Sequence, residues 1–268
     1  MRLGTIVGRR GNSAVVVRDD RCLPVPLPGL RSVREIAGAG DDGLDLVAAF
    51  VRAASPSAWL PLDAIAHAPP VPDPGAIYTF GLNYDGPGAA ARPDRPLVYG
   101  KAPSSVAAHG ATLAWDREVT DNVDAEVELG VVVGADSTAF GYTVIDDVSS
   151  RDDWLDGDQW LIGKSMPGFC PVGPWVVTAD ELDVSDLRLE CLVNGEPIQD
   201  GTTADMRFSI REVLAYLGRH LELRPGDLIA TGTPPRLATP PGPGRRLRPG
   251  DVVTCRIAGI GALVTRVA

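Results

Sequence analysis

Lysine is nearly absent from this 268-residue chain: of its 25 basic residues only Lys101 and Lys164 are not arginine. The two exceptions invite a reason, because an ammonium is a compact point charge with a shiftable pKa that a planar guanidinium does not replace in a tight site. Chance in an arginine-rich chain is the plain alternative. Positive charge as a whole is in deficit, with a formal net charge of −10, which argues against a nucleic-acid or anionic-membrane surface. The four cysteines, Cys22, Cys170, Cys191 and Cys255, include no Cys-x-x-Cys pair or finger spacing. They read as reduced, mostly buried residues and fit a cytoplasmic protein. No apolar run approaches a bilayer span, and Met1–Gly8 lacks a signal-peptide stretch, so a soluble, unprocessed chain is expected. The length allows a proper core without staples.

What is present is mostly strand pattern. Residues 1–70 read as a small α+β unit, with strands at Thr5–Val7 and Ala14–Arg18 and an apolar-periodic helix around Leu44–Ala54. The segment Ala68-Pro69-Pro70-Val71-Pro72-Asp73-Pro74-Gly75 breaks any regular element and marks a linker. A larger β-rich domain over 76–268 follows. It holds strands at Ile77–Gly81, Phe140–Ile145 and Asp227–Ala230, a helix over Ile210–His220, and a capped short helix beginning near Arg151 after Ser149 or Ser150. Leu187–Val193, Asn194-Gly195 and Glu196–Gln199 form a hairpin signal, since Asn-Gly supplies the positive φ angles of a type I′ turn. Leu223–Asp227 and Leu247–Asp251 share a Pro-Gly turn before an apolar strand. The loose stretch Asp85–Pro93 is a candidate mobile loop. Strands outnumber helices, so the fold class is α+β, mainly β.

The chemistry concentrates in Val123–Val133, which is apolar and β-branched apart from its acids. As a strand it puts Glu126 and Glu128 on one face, and Asp147 follows at the end of the next strand. Three convergent carboxylates suit a hard divalent cation, Mg²⁺ or Mn²⁺ with Ca²⁺ admissible, in preference to zinc. The alternative is a strand with one wet face carrying ordinary glutamates.

Several segments, in order, decide between these: Gly81-Leu82-Asn83-Tyr84, Lys101-Ala102-Pro103-Ser104, Asp124-Ala125-Glu126-Val127-Glu128-Leu129, Asp147-Val148-Ser149-Ser150-Arg151-Asp152, Gly163-Lys164-Ser165, Val193-Asn194-Gly195, Thr231-Gly232-Thr233-Pro234 and Gly259-Ile260-Gly261. From about Phe80 onward the chain resembles the fumarylacetoacetate hydrolase superfamily. The resemblance implies a mixed β-sandwich roll with a small amino-terminal α+β domain, a homodimer, and a metal on Glu126, Glu128 and Asp147. It also implies a small 2-oxo acid as substrate. Three acids against a dication leave a net charge of about −1, so an anionic substrate needs cations close by, and Arg151 and Lys164 can supply them. Lys164 is the catalytic candidate, stabilising an enolate or relaying a proton, and Arg151 grips a carboxylate. Thr233 and Gly232 are implied in a substrate-carboxylate loop, with Tyr84 and Lys101 as further substrate-binding candidates and Gln199 and Thr203 near the substrate.

The departures matter equally. Many hydrolytic members of the superfamily carry a histidine and an acid soon after the Asn-Tyr motif, whereas Asp85–Ala90 contains neither histidine nor glutamate. Of His67, His109 and His220 only His109 lies near motif sequence. Met166-Pro167 stands where an aromatic residue is usual. The expected activity is carbon–carbon bond cleavage of a 2-oxo acid or 1,3-dicarbonyl by hydrolysis or decarboxylation through an enolate. The alternatives are an isomerase or tautomerase, and a non-catalytic binder of small acids.

Overall fold

Every residue of Val127–Val133 is buried, as a strand covered on both faces must be. In this computed structural model, which describes residues 1–8, 11–152, 159–237 and 246–268, that strand is central to a large mixed sheet. It runs antiparallel to Ala139–Asp146 on one side and Leu228–Ala230 on the other. The sheet continues past Ala139–Asp146 through Cys170–Thr178 to Arg2–Gly8, Gly11–Arg18 and Arg21–Pro24. In the other direction it passes through Ile77–Gly81, parallel to Leu228–Ala230, and ends on Leu97–Lys101.

Alternation along the central strand divides the core in two. Leu129, Val131 and Val133 join Leu189, Cys191, Val253, Cys255 and Leu263 of a second sheet, whose five strands among the described residues run in the order Glu196–Thr202, Arg188–Val193, Val252–Ile257, Gly261–Val267 and Thr112–Leu113. On the opposite face Val132 and Ile145 pack with Val33, Ile36 and Val47 of helix Val33–Ala53. The result is a mainly β sandwich with few helices. No helix among the described residues is long and apolar enough to cross a membrane.

The helix expected over Leu44–Ala54 is the second half of this longer one. Its true start is a capping box between Ser32 and Glu35, and Gly40, at φ 58°, kinks it. Three glycines in Gly38–Gly43 dilute the apolar period that would have shown the first half. The proline-rich stretch after His67–Ala68 carries no further strand or helix, yet Val71 is buried and Thr5 Oγ1 donates to Pro70 O at 2.7 Å. One sheet therefore contains strands from both sides of that stretch.

The run Val123–Val133 is two strands, because Val123–Asp124 pairs with Ser149–Ser150 while Val127–Val133 pairs with Ala139–Asp146. Ser149 and Ser150 thus serve a strand, and the helix expected to follow them falls largely on 153–158, outside the described residues. The Asn194-Gly195 hairpin forms as read. The twin turns share one device: Asp227 and Asp251 each accept from the backbone N–H of the arginine three residues earlier, at 2.9 and 2.8 Å. All four cysteines are buried and free, with Cys191 and Cys255 facing each other across paired strands at 3.8 Å between sulfurs.

Candidate metal and substrate site

The three carboxylates meet where two strands stop. Asp146 ends its strand and accepts from Glu126 N at 2.9 Å, and the next residue, Asp147, donates its own N–H to Glu126 O at 2.9 Å. That double tie sets Glu126 and Asp147 opposite each other, while Glu128, two residues along, points to the same corner. One oxygen from each acid lies within 4.8 Å of the others. Glu128 and Asp147 are buried and Glu126 is half-buried.

Both lysines of the chain converge on one carboxylate. Lys101 Nζ donates to Asp147 Oδ1 at 2.5 Å and to Val148 O at 3.0 Å. Lys164 Nζ donates to Asp147 Oδ2 at 2.6 Å and to Ser149 Oγ at 2.7 Å, and lies 3.5 Å from Glu126. Burial pushes the Asp147 carboxyl up, but the two ammonium groups outweigh it and hold the group at about 2. Burial pulls Lys164 down, yet Asp147 and Glu126 keep it above the ordinary lysine range, so it is protonated at neutral pH. Among the described residues no ammonium is hydrogen-bonded to Glu128, and Lys164 only partly offsets its burial. Burial and then the charge of Asp147 push Glu128 well above the carboxylate range, and among the described residues its one hydrogen bond is from Gly232 N at 2.7 Å.

This donor set fits a hard dication. All candidate ligand atoms are carboxylate oxygens, and the Lys164 ammonium already stands between two of the acids, where positive charge is required. Glu128 is a buried acid short of compensation.

The wall opposite the acids is the turn after Leu228–Ala230. Gly232 has φ 98°, and a Cβ there would come within 2.8 Å of Asn83 Cβ, so only glycine brings the N–H this close to Glu128. Thr233 Oγ1 donates to Val127 O at 2.8 Å and accepts from Gln199 Nε2 at 2.7 Å. Gln199 also accepts from Val127 N at 3.0 Å. Asp124, one alternation before Glu126, pairs with Arg236 and lies 3.8 Å from Arg151, whose guanidinium is hydrogen-bonded to Glu126. Even so, burial raises Asp124 to about 6.

A cleft of about 670 Å³ opens on Glu126, Glu128, Asp147, Arg151, Lys164, Tyr84 and Thr233. Among the described residues the buried hydroxyl of Tyr84 has no hydrogen-bond partner. Two residues read as substrate-binding stand behind this surface: Lys101 is spent on Asp147 and Val148 O, and the Gly232 N–H on Glu128. Gln199 lines the cleft; Thr203 does not, its hydroxyl instead accepting from Leu187 N at 2.7 Å. No histidine lines it: His109 accepts from Val264 N and packs edge-on against His67. Met166 packs on the core.

Asp124, Arg207, Arg236 and Trp160 also line the cleft, and none of them stands among the site residues expected from sequence. Asp124 was open to such a reading, being at the same alternation as Glu126 and Glu128, and Trp160 stands four residues before Lys164. Nothing local marks Arg207 or Arg236. Arg207 ties down the stretch read as a mobile loop, donating to Asp85 Oδ1 at 2.8 Å, Leu82 O at 2.9 Å and Ala90 O at 2.6 Å. Arg207→Ala is expected to cost about 2 kcal/mol in urea unfolding, the scale of lost buried hydrogen bonds to a charged group, and to open Asp85–Ala90 to limited proteolysis. A variant as stable and protease-resistant as the parent would show that these bonds do not hold the loop.

An uncharacterised protein of Staphylococcus aureus strain USA300 is 36% identical over 213 residues, covering 75% of this chain and 71% of the relative. The fumarylacetoacetate hydrolase of Exiguobacterium antarcticum superposes with a TM-score of 0.85 at 29% identity, covering 100% of this chain and 99% of that one. A maleylpyruvate hydrolase from Sphingobium sp. SYK-6, solved with manganese(II) and pyruvate, gives a TM-score of 0.78 at 26% identity over 100% and 99% of the two chains. The 2-hydroxyhepta-2,4-diene-1,7-dioate isomerase of Mycobacterium marinum gives 0.77 at 26% identity, over 100% and 98%. Residues 76–268, which carry every acid and cation of the cleft, match the fumarylacetoacetate (FAA) hydrolase C-terminal model, and the chain belongs to that family.

Proposed function

We propose that this protein is a Mg²⁺- or Mn²⁺-dependent enzyme that cleaves a carbon–carbon bond of a small 2-oxo acid or 1,3-dicarbonyl, by hydrolysis or decarboxylation. The observation that carries the reading is the corner of three carboxylates with a protonated lysine inside it, open to a cleft. The manganese and pyruvate found in the Sphingobium hydrolase support it. Glu126, Glu128 and Asp147 would hold the cation, which when bound supplies Lewis acidity toward a chelated 2-oxo acid. Arg151, at the rim and hydrogen-bonded to Glu126, brings a guanidinium charge toward a substrate carboxylate. Tyr84 brings a buried hydroxyl to the cleft, from which it can donate to a substrate oxygen. Lys164 holds a proton at Nζ and stabilises negative charge developing next to it as a bond to carbon breaks.

A second reading, isomerisation of a 2-oxo or 2-hydroxydienoate acid, is favoured by one observation. Asp85, the only acid in the stretch where the family resemblance implies a histidine–acid pair, is paired with Arg207, and among the described residues no histidine lines the cleft to activate water. Proton transfer needs no such water. The two readings separate when purified protein is incubated with oxaloacetate, acylpyruvates and hydroxymuconate-type dienes, with Mg²⁺, with Mn²⁺ and with chelator. Cleavage yields two smaller acids, and isomerisation a spectral change at constant mass. Absence of both with either metal across the panel would remove the enzyme readings and leave a binder of small acids.

A further inference from the structure

The two stretches of chain that carry the lysines to Asp147 each carry an aromatic ring at matching distance behind it. Leu97–Lys101 is a strand, so Leu97, Tyr99 and Lys101 share one face. The turn of helix Trp160–Gly163 leads directly into Lys164, which makes Trp160 and Lys164 neighbours four residues apart on one face. Two residues of strand advance ~6.8 Å, and four residues of helix ~6 Å. With both ammonium groups anchored on Asp147, the two rings land side by side one such step outward. They stack, centroids 4.6 Å apart and 22° from parallel. Tyr99 is seated on Gly81, where a Cβ would come within 2.7 Å of its ring.

The wall continues outward through Leu97 and Leu82, which line the same cleft and are 36% and 45% exposed. Two further cations among the described residues of the cleft are committed elsewhere. Arg207 is held by Asp85 and the carbonyls of Leu82 and Ala90, and Arg236 by Asp124 and Ala125 O. The cleft thus has a charged inner end and, one step away, an apolar and planar outer end.

Resting on the acid-binding reading above, we propose that the substrate is a 2-oxo acid whose far end is an uncharged apolar group, aromatic for preference, laid along the Tyr99–Trp160 wall. Among the described residues no cation belongs to that wall, so a carboxylate laid on it would give up water with no charge there to meet it, whereas a ring buries apolar surface against aromatic faces.

Calorimetric titration of the full chain loaded with Mn²⁺ tests this with three acids that lack a cleavable 1,3-dicarbonyl. Oxalate is a head with no tail, 2-oxo-4-phenylbutanoate has an aryl tail, and 2-oxoadipate a carboxylate tail. The aryl acid is expected to bind about tenfold or more tightly than 2-oxoadipate, the discrimination one apolar pocket supplies. Trp160→Ala should cut the affinity ratio of aryl acid to oxalate by about fivefold, the scale of one aromatic contact. Leu97→Ala, at the exposed end of the wall, should move that ratio the same way, and it provides the reading should Trp160→Ala displace Lys164 and lose oxalate. Equal or tighter binding of 2-oxoadipate, or a ratio unmoved in both variants, overturns the tail proposal alone. Failure of oxalate itself to bind with Mn²⁺ overturns the acid-binding reading and this proposal with it.

Discussion

Replacing Glu128 with glutamine is expected to stabilise the metal-free protein at neutral pH while abolishing its response to Mn²⁺. Glu128 is buried beside Asp147 and, among the described residues, has a single hydrogen bond, from Gly232 N. Its carboxyl is raised above the ordinary value of 4.5, so the folded state binds its proton more tightly than the unfolded state does. The stability this contributes is complete below the ordinary carboxylate range and is lost as pH rises through the folded-state pKa. Glutamine keeps the shape, still accepts from Gly232 and has no proton to lose, so its advantage grows as pH rises above about 4.5. At neutral pH it should amount to ~1–3 kcal/mol, the measured scale for uncompensated buried polar groups, or a few degrees in Tm for a chain of this length. Mn²⁺ at a hundred times its Kd should add about 2.7 kcal/mol to the parent and nothing to the variant. Scanning calorimetry in chelator and in Mn²⁺ reads both signs. Glu126→Ala should lose the Mn²⁺ shift as well, with the fold intact. A Glu128→Gln protein that still gains full Mn²⁺ stabilisation would sink the assignment of the metal to this corner.

The second large effect is expected at Lys164. Lys164→Met should bind Mn²⁺ more tightly yet turn over substrate ~10²- to 10⁴-fold more slowly, the usual loss for a positioned proton-transfer group. The ammonium lies 2.6 Å from Asp147 and 3.5 Å from Glu126, so it competes for the charge that a dication needs. Removing one positive charge at that range should raise affinity about tenfold even in a well-screened site. Without metal, the variant should be destabilised by up to ~3–5 kcal/mol, the cost of leaving a buried carboxylate short of a partner. Lys101 still holds the other oxygen of Asp147, which limits that cost. Mn²⁺ should restore much of it. Turnover near the parent rate would remove Lys164 from the chemistry, and weaker Mn²⁺ binding would show that the ammonium supports the metal site without competing for it.

What could be read before folding was local. The two-residue period placed Glu126 and Glu128 on one face, and the scarcity of lysine singled out Lys101 and Lys164. Glycine next to asparagine or after proline marked the tight turns. Each of these follows from how one residue constrains its near neighbours. The capping box at Ser32 and Glu35 was equally local, and was missed because glycines mask the apolar period behind it.

The site's wiring was not local. Lys101 reaches Asp147 across 46 positions, Arg207 reaches Asp85 across 122, and the Gly232 N–H reaches Glu128 across 104. Periodicity states which face of an element a side chain takes, but not which element will lie against that face. That is set by the order of strands in the sheet, where Leu97–Lys101, Ile77–Gly81, Leu228–Ala230 and Val127–Val133 are consecutive neighbours despite their separation in the chain. By itself the sequence determined that Glu126 and Glu128 share a face and that two lysines stand apart among the arginines. Only the tertiary structure decided that both lysines serve one aspartate, that Lys101 and Gly232 are committed to the acids, and that an arginine holds the loop over the cleft. Each of these depends on charged groups losing water together, and only a packed interior brings that about.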